Sequence, residues 1–286
     1  MENSFDIPVA RLVAEAQKLP ESDRIAFLQL ELQRFDDKHN RSIAETYVIN
    51  QLNQLSRNII VFIHGINTRA AWQEKFRTLL SQDQNIKVIP IKYGWFNPLW
   101  FWFPFFTRLG PIDRVLGQLR NIQKNHRNDN ISIVSHSFGT YIVGSILKKN
   151  PDIVTHRLIL SGCVLPESFA WDFLPTKPVL IINDVGGRDR WPIFAKSFSW
   201  GYGSSGSYGF GHHMVTDRFH DLGHSDFFEN SFITSFWVPF LKDGLIENSS
   251  FERQAPCVLY ELLPFLIKLV YIAGIILLIY NIYPSN

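Results

Sequence analysis

The chain has 286 residues, 46% hydrophobic and 19% charged, a balance that excludes disorder of the whole chain and allows one large domain or two small ones. Its 28 basic and 26 acidic residues leave a formal net charge of +2, too weak a field to gather phosphates, so nucleic acid is not an expected partner. Two cysteines, Cys163 and Cys257, match neither a disulfide framework nor a zinc-ligand spacing, and a reducing compartment is the simpler reading.

From Pro8 to about Leu55 the pattern is helical. Val9, Leu12, Val13 and Ala16 share a face, Ser22 is placed to cap a second stretch through Phe35, and Ile43 to Leu55 forms a third. Residues 1–55 are expected to be a helical appendage that covers a sheet edge or meets a protein partner or a second copy. The early acidic residues and the lack of an apolar run argue against a secretory signal.

At Asn58 the period changes. Ile59 to Ile63 is a short continuous apolar run ending in His64-Gly65, as expected for a strand buried on both faces. Similar runs recur at Val88–Tyr93, Ile131–Ser135, Arg157–Ser161 and Val179–Ile182, separated by helix-length segments at 70–81, 112–127 and 138–149. This alternation predicts an α/β domain over residues 56–245, a mostly parallel sheet with helices on both faces. Trp95 to Phe106 holds eight aromatic residues just after the second run, where a loop would rim a pocket, either as a buried plug or as an exposed lid. The Gly- and Ser-rich stretch 199–211 predicts a mobile loop, and 225–241 a closing amphipathic helix.

A polar linker, 246–256, leads to an apolar tail, 257–286. From Leu262 to Tyr283 the tail carries only Lys268 as a charge, and as a helix it would reach roughly 33 Å, enough for a hydrocarbon core of about 30 Å. Pro264 and Gly274 weaken that reading, and a helix packed in a groove is the bland alternative. The tail predicts a C-terminal membrane anchor with the preceding domain on the cytoplasmic side.

The strongest chemical signal is Ser135-His136-Ser137-Phe138-Gly139, where an apolar strand runs into Ser-x-Ser-x-Gly and then a helix rich in small and aliphatic residues. Such a turn lifts one hydroxyl, that of Ser137, out of the sheet to a helix N-terminus, with the Phe138 N–H aimed at a developing oxyanion. Residues 58 to about 245 resemble the α/β-hydrolase superfamily on this motif, on Phe62-Ile63-His64-Gly65-Ile66-Asn67, a strand ending in His-Gly, and on the strand order. Ser135 stands where that pattern usually has glycine.

The resemblance implies a second oxyanion donor in the Ile66 N–H, an acid after the strand Val179–Ile182 and a histidine last in chain order. Two acids compete: Asp189, in Gly186-Gly187-Arg188-Asp189, is favoured over Asp184, which suits a turn. Of the late histidines His224 is favoured, since it stands directly before a helical pattern. His212 and His213 point in two directions as neighbours in a loop, no metal site is expected, and no cofactor is implied. The implied activity is serine hydrolysis of carboxylic esters, lipid or acyl, at a membrane, by Ser137, His224 and Asp189. The alternative is a catalytically inactive interaction module with the same fold, tethered to a membrane.

Overall fold

The structure is a computed structural model that describes residues 11–12, 15–16, 18–19, 27, 30–31, 57–65, 71–80, 85–91, 93–94, 107–253 and 255–282. The expected appendage 1–55 falls almost wholly outside these residues, as do Ile66 and the aromatic segment 95–106.

Six strands form one parallel sheet: β1 (Asn58–Ile63), β2 (Ile86–Ile91), β3 (Asn130–His136), β4 (Arg157–Ser161), β5 (Leu180–Gly186) and β6 (Thr216–His220), ordered β2-β1-β3-β4-β5-β6. The path begins at β1, one strand in from an edge, steps outward to β2, returns past β1 to β3 and proceeds to the other edge. Alternation along β1 decides which layer each residue joins. Ile59, Val61 and Ile63 face α2 (Leu109–Asn125) and α3 (Phe138–Lys149), meeting Val115, Leu119, Ile142 and Ile146. Ile60 and Phe62 face the opposite layer, meeting Phe76 and Leu80 of α1 (Ala71–Leu80) together with Trp237 and Phe240. A strand sandwiched this way has no polar face, which is why it appears in the sequence as an unbroken apolar run.

The five expected strands are present, β4 with the expected ends and the others with shifted ones, and β6 is a sixth that the apolar runs did not reveal. Its sequence, Thr-Asp-Arg-Phe-His, is polar because side-chain pairing across the sheet holds it. Arg218 donates to both oxygens of Asp184 on β5 at 2.8 and 3.0 Å. The register pairs the same two residues.

Two further expectations are corrected. The stretch 199–211 is packed rather than loop-like: it contains the short helix α5 (Ser205–Tyr208), and Tyr202 to Ser207 are buried. The Gly203 and Gly206 N–H groups each donate at 2.8 Å, to the Val164 and Cys163 carbonyls, and a Cβ on either glycine would stand 2.2 Å from backbone atoms there. These glycines serve close approach, not flexibility. The closing helix 225–241 is broken into a 3₁₀ turn at Asp226–Phe228, α6 (Asn230–Phe232), a π turn at Ile233–Trp237 and α7 (Val238–Asp243). In this broken run the Trp237 indole reaches Asp184 Oδ2 at 2.8 Å, and Pro239 falls in the first turn of α7.

Between β5 and β6 lies α4 (Trp191–Phe198), and after the linker α8 (Val258–Ile282) runs for 25 residues with mean hydropathy 2.6 over its most apolar window, of which 6% is buried. By length and composition α8 can cross a membrane.

Candidate active site

Ser137 sits at the carboxyl end of β3 with φ 55° and ψ −125°, the one non-glycine residue with positive φ among the described residues. An L-residue held there is strained, and the surroundings over-determine it. The Ser137 N–H donates to the Ser161 carbonyl at 3.0 Å, while Thr140 Oγ1 donates to the Ser137 carbonyl at 2.6 Å. Gly139 is obligatory, since a Cβ there would lie 2.2 Å from the Ile63 carbonyl oxygen. Ser135 takes the usual glycine's place because its buried hydroxyl donates to the Ile159 carbonyl at 3.2 Å. The helix α3 begins at Phe138, directly after Ser137, so the Phe138 N–H lies in the first turn of that helix.

Gly65 closes on this turn from β1. A Cβ on it would come within 2.8 Å of the Ser137 Cβ and 3.2 Å of Oγ, so the His64-Gly65 end of β1 lies directly against the serine. His64 itself stacks on Tyr93, and its Nδ1 donates to the Gly65 carbonyl. Burial lowers its pKa, with the Gly65 bond opposing.

The two candidate acids have different surroundings. Asp184 is a strand residue, not a turn residue: it is fully buried and accepts from Arg218, His220 (2.9 Å) and the Trp237 indole. Burial acts to raise its pKa, but the charge of Arg218 and the His220 bond hold it below the ordinary carboxylate value. Asp189 follows β5 through the Gly186-Gly187 turn and is also buried. Its Oδ2 accepts from His224 Nδ1 at 2.8 Å, and its Oδ1 accepts the Trp191 N–H at 3.0 Å. With Nδ1 acting as donor, His224 is left with its Nε2 lone pair.

His224 follows β6 in the loop before the 3₁₀ turn, where Asp226 Oδ2 accepts the Gly223 N–H at 2.7 Å. Its ring lies against Gly162, where a Cβ would fall 2.9 Å from Nδ1. Gly162 directly follows Ser161, the residue that receives the Ser137 N–H. Thus Ser137 lies at the carboxyl end of β3, and the hydrogen-bonded Asp189 and His224 follow the carboxyl ends of β5 and β6, whereas Asp184 lies within β5.

A partner that sequence reasoning set aside is His136. It is nine-tenths or more buried, its Nε2 donates to the His224 carbonyl at 2.7 Å, and its ring lies 4.6 Å from that of His224. Burial, followed by the charge of His224, keeps its ring well below the usual imidazole pKa. Chain order excludes it as the base, and its position next to Ser137 was the available signal for a supporting role. Cys163, after β4, is buried with its thiol pushed up to about 11 by desolvation, which suits packing and not attack.

His212 and His213 do not diverge as expected. Both Nε2 atoms turn to Asp172, at 3.1 and 3.2 Å, with the rings stacked, and the three donor atoms lie within 4.8 Å of one another. The Met214 N–H points at His212 Nδ1 (3.3 Å), which leaves that ring's proton on Nε2 facing the carboxylate.

A parallel sheet in this order with helices on both faces, and a strained serine between β3 and α3, has the α/β-hydrolase fold. No protein-family model and no curated protein sequence matches the chain. Solved structures similar to it include a cold-adapted esterase from an Arctic intertidal metagenomic library, at 15% identity and TM-score 0.41, covering 59% of this chain and 75% of that one. A Bacillus cereus protein matches at 10% identity and TM-score 0.43 over 86% and 89% of the two chains. An alpha-beta serine hydrolase homologue from Coxiella burnetii matches at 12% and 0.36 over 59% and 78%.

Proposed function

We propose that the protein is a serine hydrolase of carboxylic esters, with Ser137 as nucleophile, His224 as general base and acid, and Asp189 as the group that orients the imidazole. The observation that carries this reading is the occurrence together of a strained Ser137 (φ 55°) and a 2.8 Å His224–Asp189 hydrogen bond beyond the carboxyl ends of strands of one parallel sheet. His224 Nε2 takes the Ser137 proton as Oγ attacks the acyl carbonyl, then passes it to the departing alkoxide. Water, deprotonated by the same nitrogen, releases the acid and restores Ser137. The Phe138 N–H and the Ile66 N–H are the proposed donors to the oxyanion.

The substrate is an ester with a lipid or acyl chain, and α8 holds the protein to a membrane with the α/β domain on the cytoplasmic side. The length and hydropathy of α8 support the anchor. A fluorophosphonate probe tests the chemistry: the wild type is labelled, and Ser137→Ala and His224→Ala lose labelling while remaining folded by circular dichroism. An unlabelled wild type overturns the enzyme and leaves an interaction module. An alkaline wash tests the anchor, since release from the membrane pellet is incompatible with an inserted α8.

A further inference from the structure

The C-terminal helix does not leave the domain where it begins. Its first half packs beside α4 and the residues that flank it. At its start the Tyr260 ring lies 5.3 Å from the Arg190 guanidinium, one residue before α4. Farther down, Lys268 Nζ stands 6.0 Å over the Trp200 ring, and Trp200 and Tyr271 are ring partners at 6.0 Å, two residues beyond the end of α4. The two helices therefore run side by side in the same direction. Among the described residues, Ile272 to Ile282 of the helix lie below Tyr271, 11 residues or about 16 Å, roughly half of a hydrocarbon core of about 30 Å.

The docked half is itself apolar on its outer side. Leu259, Leu262, Phe265 and Leu266 are half or more exposed, or nearly so, while Leu263, Pro264 and Ile267 turn inward. A helix lying on a protein in water would carry polar groups there. Beside it α4 exposes Trp191 at its start, 58% accessible, and Trp200 follows at 41%. Glu261, exposed in the first turn of α8, stands before Leu262; of the lysines beside the face, Lys196 bonds Glu167 at 2.9 Å, and Lys268 lies over Trp200.

From these observations we infer that α4 and the first half of α8 form one membrane-embedded face whose partner is bilayer lipid. With that face immersed, the helix from Leu262 to Ile282 spans about 31 Å, and the length deficit disappears. Trp191 then lies at the headgroup level and Phe198 and Trp200 lie deeper. The Trp191 ring is 6.1 Å from that of His224, so the mouth of the site opens at the lipid surface. Resting on the hydrolase reading above, this makes the substrate a lipid ester that enters from the leaflet.

The test uses the full chain carrying Cys257→Ser, Cys163 being buried, with a nitrobenzoxadiazole fluorophore on Phe198→Cys or, as reference on the far side, on Lys149→Cys. In phosphatidylcholine vesicles, aqueous dithionite is expected to bleach the probe at position 198 at least about 10-fold more slowly than the probe at 149. A probe at Trp191→Cys bleaches at an intermediate rate. Equal rates at 198 and 149 on vesicle-bound protein overturn the embedded face, as does failure of the chain to float with the vesicles. Fluorophosphonate labelling of the same samples reports on Ser137 separately. Protection at 198 without labelling therefore keeps the face and removes the hydrolase.

Discussion

His136 and His224 are joined through the backbone and not through their rings: the Nε2–H of His136 reaches the carbonyl oxygen of His224 at 2.7 Å. The residue preceding the candidate nucleophile thereby fixes the loop that carries the candidate base. The other ring nitrogen, Nδ1, is buried with no hydrogen-bond partner, so the imidazole is held for its one bond. Loss of a buried neutral hydrogen bond costs about 1–3 kcal/mol, which is about fivefold to 150-fold if it falls on the transition state. His136→Phe is therefore expected to lower kcat for an ester by about that factor with KM little changed. His136→Gln, whose amide can donate to the same carbonyl, should recover part of the loss. Equal kcat in His136→Phe and the wild type would show that the loop holds without the bond.

Acid should destabilise the fold before the carboxylates titrate. Burial lowers the pKa of His64 and His156 and lowers that of His136 much further. Each is an ordinary histidine in the unfolded chain, with a pKa of about 6.5. As pH falls below that value the unfolded chain gains protons that the folded chain refuses, so stability falls with pH; above it the contribution is constant. For the fully buried His136 the slope approaches about 1.4 kcal/mol per pH unit. Urea denaturation from pH 8 to 5 should show this decline, and His136→Gln should flatten it. A variant with an unchanged slope would remove His136 from the account.

The two aspartates after the start of β5 separate stability from chemistry. Asp184 bonds Arg218 in a fully buried pair, and removing one partner of such a pair costs about 3–5 kcal/mol. Asp184→Ala is thus expected to shift the urea midpoint strongly or to prevent folding. Asp189→Asn keeps an oxygen for the Trp191 N–H and should keep the wild-type midpoint. Its amide would face His224 Nδ1 with the wrong donor pattern, and kcat should fall by about 10⁴. If Asp184→Asn were the inactive variant and Asp189→Asn the active one, the assignment of the acid would reverse.

These residues also show what could be seen in the chain and why. β1, β3 and β4 were legible because strands covered on both faces must be apolar throughout, and the strained turn at Ser137 was legible because a strand and a helix meet there between small residues two positions before and two after. Preference for Asp189 came from its glycines, and the structure brings it to His224. β6 was hidden because Arg218 and Asp217 hold their strand by charge and hydrogen bonds, which give no apolar period. Asn183 donates to Asp217 at 2.8 Å, and the other Asp217 oxygen accepts from the Phe210 and Gly211 N–H groups at 2.8 Å. That pairing also explains the misjudged stretch 199–211: glycine for flexibility and glycine for tight contact have the same letter, and only the partner backbone distinguishes them. His136 was invisible as a support because its bond goes to a main-chain atom 88 residues away.

The glycine distinction can be measured directly. Gly206 lies where a Cβ would stand 2.2 Å from the Cys163 backbone nitrogen, and the obstacle is main chain, which cannot swing aside. Overpacking of this kind costs about 1–3 kcal/mol, so Gly206→Ala should lower Tm. Gly117, exposed in the middle of α2, has nothing within 4 Å of its would-be Cβ. There alanine removes unfolded-chain freedom and improves helix propensity, and Gly117→Ala should gain about 0.5–1 kcal/mol. Thermal unfolding of the two variants is expected to move Tm in opposite directions. A Gly206→Ala protein as stable as the wild type would mean that α5 can lift off the loop after β4, and that the stretch is the mobile loop its composition suggests.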